Sequence, residues 1–318
     1  LTDGDGGATQ NIAFDIVVER ENDSTEATFL SQQVNSYFTS TQQDVAGAAF
    51  DDGSYVLVWE SYGQVNNNAY ASIHGQVFNA QGQPIGIEFS ATEQNPLTAS
   101  TQNYDPAVST FADGSFMLVW QGNGDTDSQD IMARLFNADG TTNGAEFQVN
   151  QLSSSTQSNV QTTRLSDGNT VVTWQSYTGS TDRWEIAARI LDQDGVAITD
   201  EFIVNSFASD DQYAPSVSAS NGSFVIAYQS DDINDNGIVQ IAAQRINNDG
   251  PLLGSEIIVT DSLVSTQELP VISYATDGSF VVIWVDRDSA TDGSSYAIVG
   301  QQFASDGSAA GAHFIVNE

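Results

Sequence analysis

Cysteine is absent from the 318 residues, and so is lysine. Without cysteine there is no disulfide framework, no thiolate metal site and no thiol nucleophile. Basic side chains are scarce: seven, all arginine, against 42 Asp plus Glu, for a formal net charge of −35. That balance excludes nucleic acid and anionic membrane surfaces as partners, because both reward the opposite sign. No apolar run approaches the length needed to cross a bilayer as a helix, so direct membrane insertion is not expected. The chain opens at Leu1 with no basic, apolar leader, as expected of a processed or excised segment. Two histidines and six prolines complete the short supply. Against these absences stand 40% hydrophobic residues and 10% aromatics, enough for a packed core.

What is present is repetition. An Asp-Gly (once Asn-Gly) turn followed by an apolar run and an aromatic anchor recurs five times. The copies are DGSYVLVW (52–59), DGSFMLVW (113–120), DGNTVVTW (167–174), NGSFVIAY (221–228) and DGSFVVIW (277–284). The anchors Trp59, Trp120, Trp174, Tyr228 and Trp284 lie 61, 54, 54 and 56 residues apart. After each anchor comes a second segment of the type IMARLFNADG (131–140), then a third of the type AEFQVN (145–150). A fourth, such as PAVSTF (106–111), precedes each Asp-Gly turn. Every segment has strand length and composition, and Asp-Gly or Asn-Gly between them is the tight-hairpin signal. Each repeat therefore reads as a four-stranded antiparallel meander. One such sheet buries too little alone, and radial packing of copies supplies the missing burial.

The expected fold is all-β: a β-propeller of four-stranded antiparallel blades, five in number. Its repeats span approximately 36–95, 96–151, 152–206, 207–261 and 262–318. Residues 29–35, FLSQQVN, duplicate the outer strand. They either complete the last blade or are the remnant of a further one, which keeps six blades as the alternative. The propeller is assigned to 28–318. Residues 1–27 fall outside the repeat and read as an N-terminal extension or the end of a preceding module, with one alternating strand over Ala13–Glu19. The anchor aromatics are expected in the core between blades. The Gly or Ala at the third position of each second segment (Gly75, Ala133, Ala188, Ala243, Gly300) marks a place where neighbouring blades come close.

These quoted segments together resemble a repeat of about 54 residues found in large bacterial secreted and surface proteins, the adhesin-like chains that carry RTX and cadherin-like modules. The resemblance covers about residues 36–318 and concerns the repeat, not a ligand. Residues 1–24 resemble the end of a cadherin-like module. The resemblance implies an extracellular or cell-surface location, a monomeric module within a larger chain, and an extracellular glycan or protein as partner. No GGxGxD array is present, so calcium rolls are not implied.

Function in such a scaffold belongs to loops held by the rigid sheets. The segments after the anchors differ most between copies, and three are acidic. One carries Asp125, Asp127 and Asp130. Another places Asp232, Asn234, Asn236 and Gly237 in the D-x-N-x-N-G order of a calcium loop. A third carries Asp286, Asp288 and Asp292 before Gly293. Alternate oxygens in a tight turn converge on one centre, and Ca²⁺ takes six to eight of them; bound Ca²⁺ is the expected cofactor. Asp3 and Asp5 offer a further ion site near the start of the chain. Other loops carry aromatics suited to stacking on a sugar face: Tyr62 and Tyr70 near Asn66, Asn67 and Asn68, Tyr177 with Trp184, and Tyr296. Trp184 leads this set because it is the one Trp outside the anchors.

Catalysis finds little support in the residues. His74 and His313 lie within repeat strands, where a Ser-His-Asp arrangement needs uncommon geometry. The arginines are scattered, and no carboxylate pair is singled out among the many. The expectation is a non-catalytic interaction or adhesion module, calcium-stabilised, and not an enzyme. A lectin-like carbohydrate binder and a glycoside-cleaving enzyme are the alternatives.

Overall fold

In a computed structural model the chain is built from strands, with no helix among the described residues. Those residues are 13–14, 32–64, 70–92, 102–123, 129–153, 155–178, 183–206, 211–220, 222–231, 238–260, 265–287 and 296–317. Two short strands come first, β1 (Ala13–Phe14) and β2 (Gln32–Gln33). They pair with each other, so Gln32–Gln33, within the stretch read as a surplus outer strand, belong to a two-stranded sheet apart from the five blades. Five four-stranded antiparallel sheets follow, one per repeat, as expected of a five-bladed β-propeller.

Blade 1 comprises β3 (Gln42–Ala49), β4 (Tyr55–Tyr62), β5 (Ala71–Phe78) and β6 (Pro84–Ser90). Blade 2 comprises β7 (Tyr104–Thr110), β8 (Phe116–Asn123), β9 (Gln129–Phe136) and β10 (Phe147–Gln148). Blade 3 holds β11 (Gln157–Arg164), β12 (Thr170–Thr178), β13 (Arg183–Leu191) and β14 (Phe202–Ile203). Blade 4 holds β15 (Gln212–Ser220), β16 (Ser223–Ser230), β17 (Gln240–Asn247) and β18 (Ile257–Ile258). Blade 5 holds β19 (Gln267–Tyr274), β20 (Phe280–Asp286), β21 (Ala297–Phe303) and β22 (Phe314–Ile315). The chain divides into two compact units, Leu1–Gly122 with Arg134–Glu146, and Asn123–Ala133 with Phe147–Glu318.

The hairpins follow from the Asp-Gly turns. Gly53 has φ +84°, a conformation glycine reaches without a Cβ penalty. The Asp52 carboxylate accepts the Ser54 N–H at 2.9 Å, which closes the turn. The same Asp bond recurs at Asp113, Asp277 and Asp306. Part of the acidic content is thus turn chemistry.

The core lies between sheets. All five anchors are buried, with Trp120, Trp174 and Tyr228 wholly enclosed. In the first unit Phe50 and Phe89 of blade 1 meet Phe116 and Phe136 of blade 2 with ring centroids 4.8–6.1 Å apart. In the second unit one cluster joins blades 3 and 4 through Ile186, Phe224 and Tyr228, and another joins blades 4 and 5 through Val225, Phe280 and Trp284. The small residue in the third strand makes room chiefly within a blade. A Cβ on Gly75 would stand 2.5 Å from the Phe89 ring, and one on Gly300 2.5 Å from Phe314. In each case the aromatic belongs to the same blade's fourth strand.

The Val-Asn ending of the fourth strand also has a cause. Asn150, Asn205 and Asn317 accept the backbone N–H of Ile131, Ile186 and Ile298 through their side-chain oxygens at 2.8, 2.9 and 2.6 Å. Thr260 does the same for Ile241 at 3.0 Å. The side chain continues a ladder that the short strand has left, and so satisfies a buried donor. Preceding glutamates fasten adjacent segments: Glu88 accepts the Ser36 N–H, Glu201 that of Gln151 and Glu256 that of Ser206.

One irregularity recurs in every first strand. The register shifts by a bulge in β3, β7, β11, β15 and β19. At each bulge one non-glycine residue adopts a left-handed conformation: Asp44, Asp105, Asn159, Ala214 and Leu269, with φ between 47° and 53°. Such bulges re-aim a side chain and increase local twist.

Candidate functional site

The bulges of blades 1 and 2 bring three carboxyl groups together. Asp44 is the bulge residue of β3, Asp105 that of β7, and Glu60 lies on β4 immediately after the anchor Trp59. One oxygen from each lies within 4.8 Å of the other two. Glu60 is buried, whereas Asp44 is exposed. The Asp105 backbone N–H donates to Glu60 Oε1 at 2.9 Å. Gln43 donates from one amide nitrogen to Glu60 Oε2 at 3.2 Å and to Asp44 Oδ2 at 2.9 Å.

Burial pushes the Glu60 carboxyl up to about 7; the Asp44 and Asp105 charges add to the rise, and the hydrogen bonds from Asp105 N–H and Gln43 oppose it. Near neutral pH this carboxyl is therefore divided between acid and anion. Tyr62, at the end of β4, is pushed up to about 12, first by burial and then by the Glu60 and Tyr104 neighbours. Tyr104 is also raised, by burial and then by Glu60. Two phenols thus border the carboxyl group and remain neutral donors across the physiological range.

The equivalent places in the second unit show what the backbone alone requires. Gln175, after Trp174, accepts the Ala214 N–H at 2.8 Å and an Asn159 side-chain N–H at 2.9 Å. Gln229, after Tyr228, accepts the Leu269 N–H at 3.0 Å. A neutral glutamine meets the bulge's demand for an acceptor. A glutamate at position 60, beside two aspartates, adds charge the fold does not need.

Sequence reading missed Asp44, Glu60 and Asp105. A signal existed in the repeat itself: Trp-Glu at 59–60 stands where the other copies have Trp-Gln, Trp-Gln, Tyr-Gln and Trp-Val. Of the residues it did single out, Tyr62 borders this site. Tyr70 is exposed just before β5. Tyr177 and Trp184 face each other across β12 and β13 with ring centroids 5.3 Å apart, and the Trp184 backbone N–H donates to the Asp211 carboxylate at 2.8 Å. Tyr296 is exposed, with the Arg287 guanidinium 5.5 Å from its ring centroid; Arg287 also pairs with Glu268 at 2.6 Å.

Of the calcium candidates, Asp125, Asp127, Asp232, Asn234, Asn236, Asp288 and Asp292 lie outside the described residues, as do Asp3 and Asp5. Asp130 and Asp286 are strand residues, on β9 and β20, and both are buried. Asp130 accepts the Asn150 side-chain N–H at 2.7 Å.

His74 is buried, with Ser72 Oγ 2.9 Å from Nε2 and Glu88 Oε1 3.9 Å from Nδ1. This serine–histidine–glutamate row has the composition of a nucleophilic triad. Ser72 is buried as well, and Glu88 already accepts the Ser36 N–H and a Gln64 side-chain N–H. Burial lowers His74 to about 4, against the pull of Glu88, so the ring is neutral and acts as packing.

No protein-family model matches the sequence, and no curated protein does. Solved structures do share the fold. A protein of unknown function from Dyadobacter fermentans matches with TM-score 0.56 at 10% identity, over 87% of this chain and 83% of its own. A Hadza microbial sialidase matches with TM-score 0.54 at 12% identity, over 87% of this chain and 59% of its own. An alpha-L-arabinofuranosidase from Lactobacillus brevis matches with TM-score 0.49 at 12% identity, over 84% and 93%. An exo-1,5-alpha-L-arabinanase from a bovine ruminal metagenomic library matches similarly, with TM-score 0.45. At such identity the likeness is one of fold. It nevertheless corrects the expectation of a non-catalytic adhesion module and of no enzymatic activity. The Hadza microbial sialidase shares this fold, so the fold itself gives no ground for setting catalysis aside.

Proposed function

We propose that the chain is a glycan-cleaving enzyme whose acid–base centre is the Asp44–Glu60–Asp105 group. The observation that carries this reading is Glu60: a buried carboxyl, held near neutrality, within 4.8 Å of two further carboxyl oxygens. Glycoside hydrolysis needs one carboxylic acid to protonate the leaving oxygen and one carboxylate on the other side of the bond. Environments that push two carboxyl groups apart in proton affinity produce that division of labour. Glu60 fits the acid, and exposed Asp44 fits the carboxylate. Asp105, at the second bulge, keeps negative charge beside Glu60 and so favours its protonated form.

Separation bears on stereochemistry. Inverting enzymes hold their carboxyl groups about 6.5–9.5 Å apart to admit a water, whereas retaining ones hold them about 5–5.5 Å apart. Here one oxygen of each group lies within 4.8 Å of the others, nearer the shorter range than the longer one. We propose direct attack by carboxylate and retention of configuration. The extracellular location, the glycan partner and the calcium cofactor expected from sequence accompany this reading as proposals, and Tyr177 with Trp184 remains the proposed sugar-stacking pair.

The test is hydrolysis of a panel of aryl glycosides between pH 4 and 8, with product configuration read by NMR. Turnover by the wild-type chain, lost in Glu60→Gln and Asp44→Asn, is the expected result. A wild-type chain inert toward the whole panel and toward polysaccharides would end the reading.

A further inference from the structure

Gln43 stands apart in the repeat. It lies directly opposite Glu60 across the β3–β4 ladder. The equivalent pairs are Tyr104–Gln121, Ser158–Gln175, Tyr213–Gln229 and Glu268–Val285. In three of these the amide is on the second strand and the first strand carries a hydroxyl. Blade 1 reverses the arrangement: the second strand carries the acid and the first strand carries the amide. The exchange happens at the same blade whose bulge residue is an aspartate and whose neighbour's bulge residue is another.

The consequence is geometric. The Gln43 Nε2 has two hydrogens, and it has two acceptors, Asp44 Oδ2 at 2.9 Å and Glu60 Oε2 at 3.2 Å. One nitrogen therefore spans the two carboxyl groups assigned opposite roles. We propose that Gln43 is a positioning residue that clamps Asp44 and Glu60 at a fixed separation and sets how tightly Glu60 holds its proton. This deepens the proposed glycan-cleaving function and rests on it for its meaning, though not for its physical test.

Two carboxyl groups this close repel when both are ionised, and each separates from the other or takes up a proton. A donor shared between them offsets the repulsion and favours the ionised form of both. The groups facing Glu60 are Asp44 and Gln43 on β3, Tyr62 on β4, and Tyr104 and Asp105 on β7. Two of these are acids that raise its proton affinity. The two N–H donors, Gln43 and the Asp105 backbone, lower it, and of the two only Gln43 is removable by substitution without touching the main chain.

Two variants separate a clamp from mere packing. Gln43→Leu keeps much of the volume and removes both donors. Gln43→Glu removes the donors and adds a third like charge. Glu60 is followed by carboxyl ¹³C NMR in each folded protein, with Glu60→Gln to assign its signal. The expected result is an upward shift of the Glu60 midpoint by about one pH unit in Gln43→Leu, with a larger one in Gln43→Glu. In activity, the alkaline limb moves up with the midpoint, and kcat falls about tenfold with little change in KM. A Glu60 midpoint unmoved in both folded variants would overturn the clamp. A shifted midpoint in a protein that cleaves no glycoside would instead overturn the catalytic reading and leave the clamp standing.

Discussion

The junction of blades 1 and 2 and the junction of blades 3 and 4 are built on one backbone and carry different chemistry. In both, a left-handed bulge residue presents an N–H to the side chain that follows the anchor aromatic of the preceding blade. In the second unit that side chain is Gln175 and its surroundings are Asn159 and Ala214, all neutral. In the first unit it is Glu60, and its surroundings are Asp44 and Asp105. The comparison isolates charge from architecture. The amide satisfies the bulge at no electrostatic cost, so the carboxylates are an addition to the fold and not a requirement of it.

The largest expected effect is on turnover. Glu60→Gln makes the first junction resemble the second, and it should lower kcat by about 10²–10⁴ while the circular dichroism spectrum is unchanged. A variant retaining wild-type kcat would erase the functional side of the comparison. Wild-type activity should also decline as pH rises through about 7, when Glu60 loses its proton.

Stability should move in the opposite direction. The folded-state affinity of Glu60 for its proton is raised above the unfolded value, so its contribution is full below about 4.5 and is lost as pH rises toward about 7. Glu60→Gln should therefore match wild type at pH 4 and melt about 2–4 °C higher at pH 8. Gln175→Glu is the converse experiment, and should lower the melting temperature at pH 8 with little change at pH 4. Equal shifts at both pH values would show that packing, not ionisation, separates the two junctions.

A smaller effect is expected from calcium. If the acidic loops bind Ca²⁺ in the native state alone, millimolar Ca²⁺ should raise the melting temperature relative to chelator by about 1–3 °C. No difference would remove calcium from the account. The smallest effect belongs to Tyr296→Ala, since that ring is exposed and meets Arg287 at the surface; its stability should stay within about 0.5 kcal/mol of wild type in denaturant titrations.

Much of the architecture could be read from the repeat because its determinants are local. Asp-Gly turns define hairpins, alternating apolar segments define strands, and the recurring anchors mark the core. The fourth strand was readable as Phe-x-Val-Asn, although only two residues of each pair as a strand from blade 2 onward, with the asparagine side chain carrying the pattern further. The site was harder to read for a physical reason. Asp44, Glu60 and Asp105 are separated by 16 and 45 residues, and a bulge, invisible in an alternating pattern, turns two of them toward the third. Attention to acidic loops favoured residues clustered in sequence. The carboxylates that cluster in space occupy strands and were noticeable only as departures from the repeat, glutamate in a column of glutamines.

The left-handed bulge has a consequence for how such a chain can change over generations. Five positions already hold this conformation with aspartate, asparagine, alanine and leucine. The backbone is kept by the surrounding sheet, not by the identity of the residue, so each position is free to exchange its side chain without a new fold being found. Duplicated blades supply spare copies on which a reactive group can be tried while the others keep the sheets together. An active centre on such a scaffold can be gained or lost by a few point mutations, and close relatives in shape need not share a reaction.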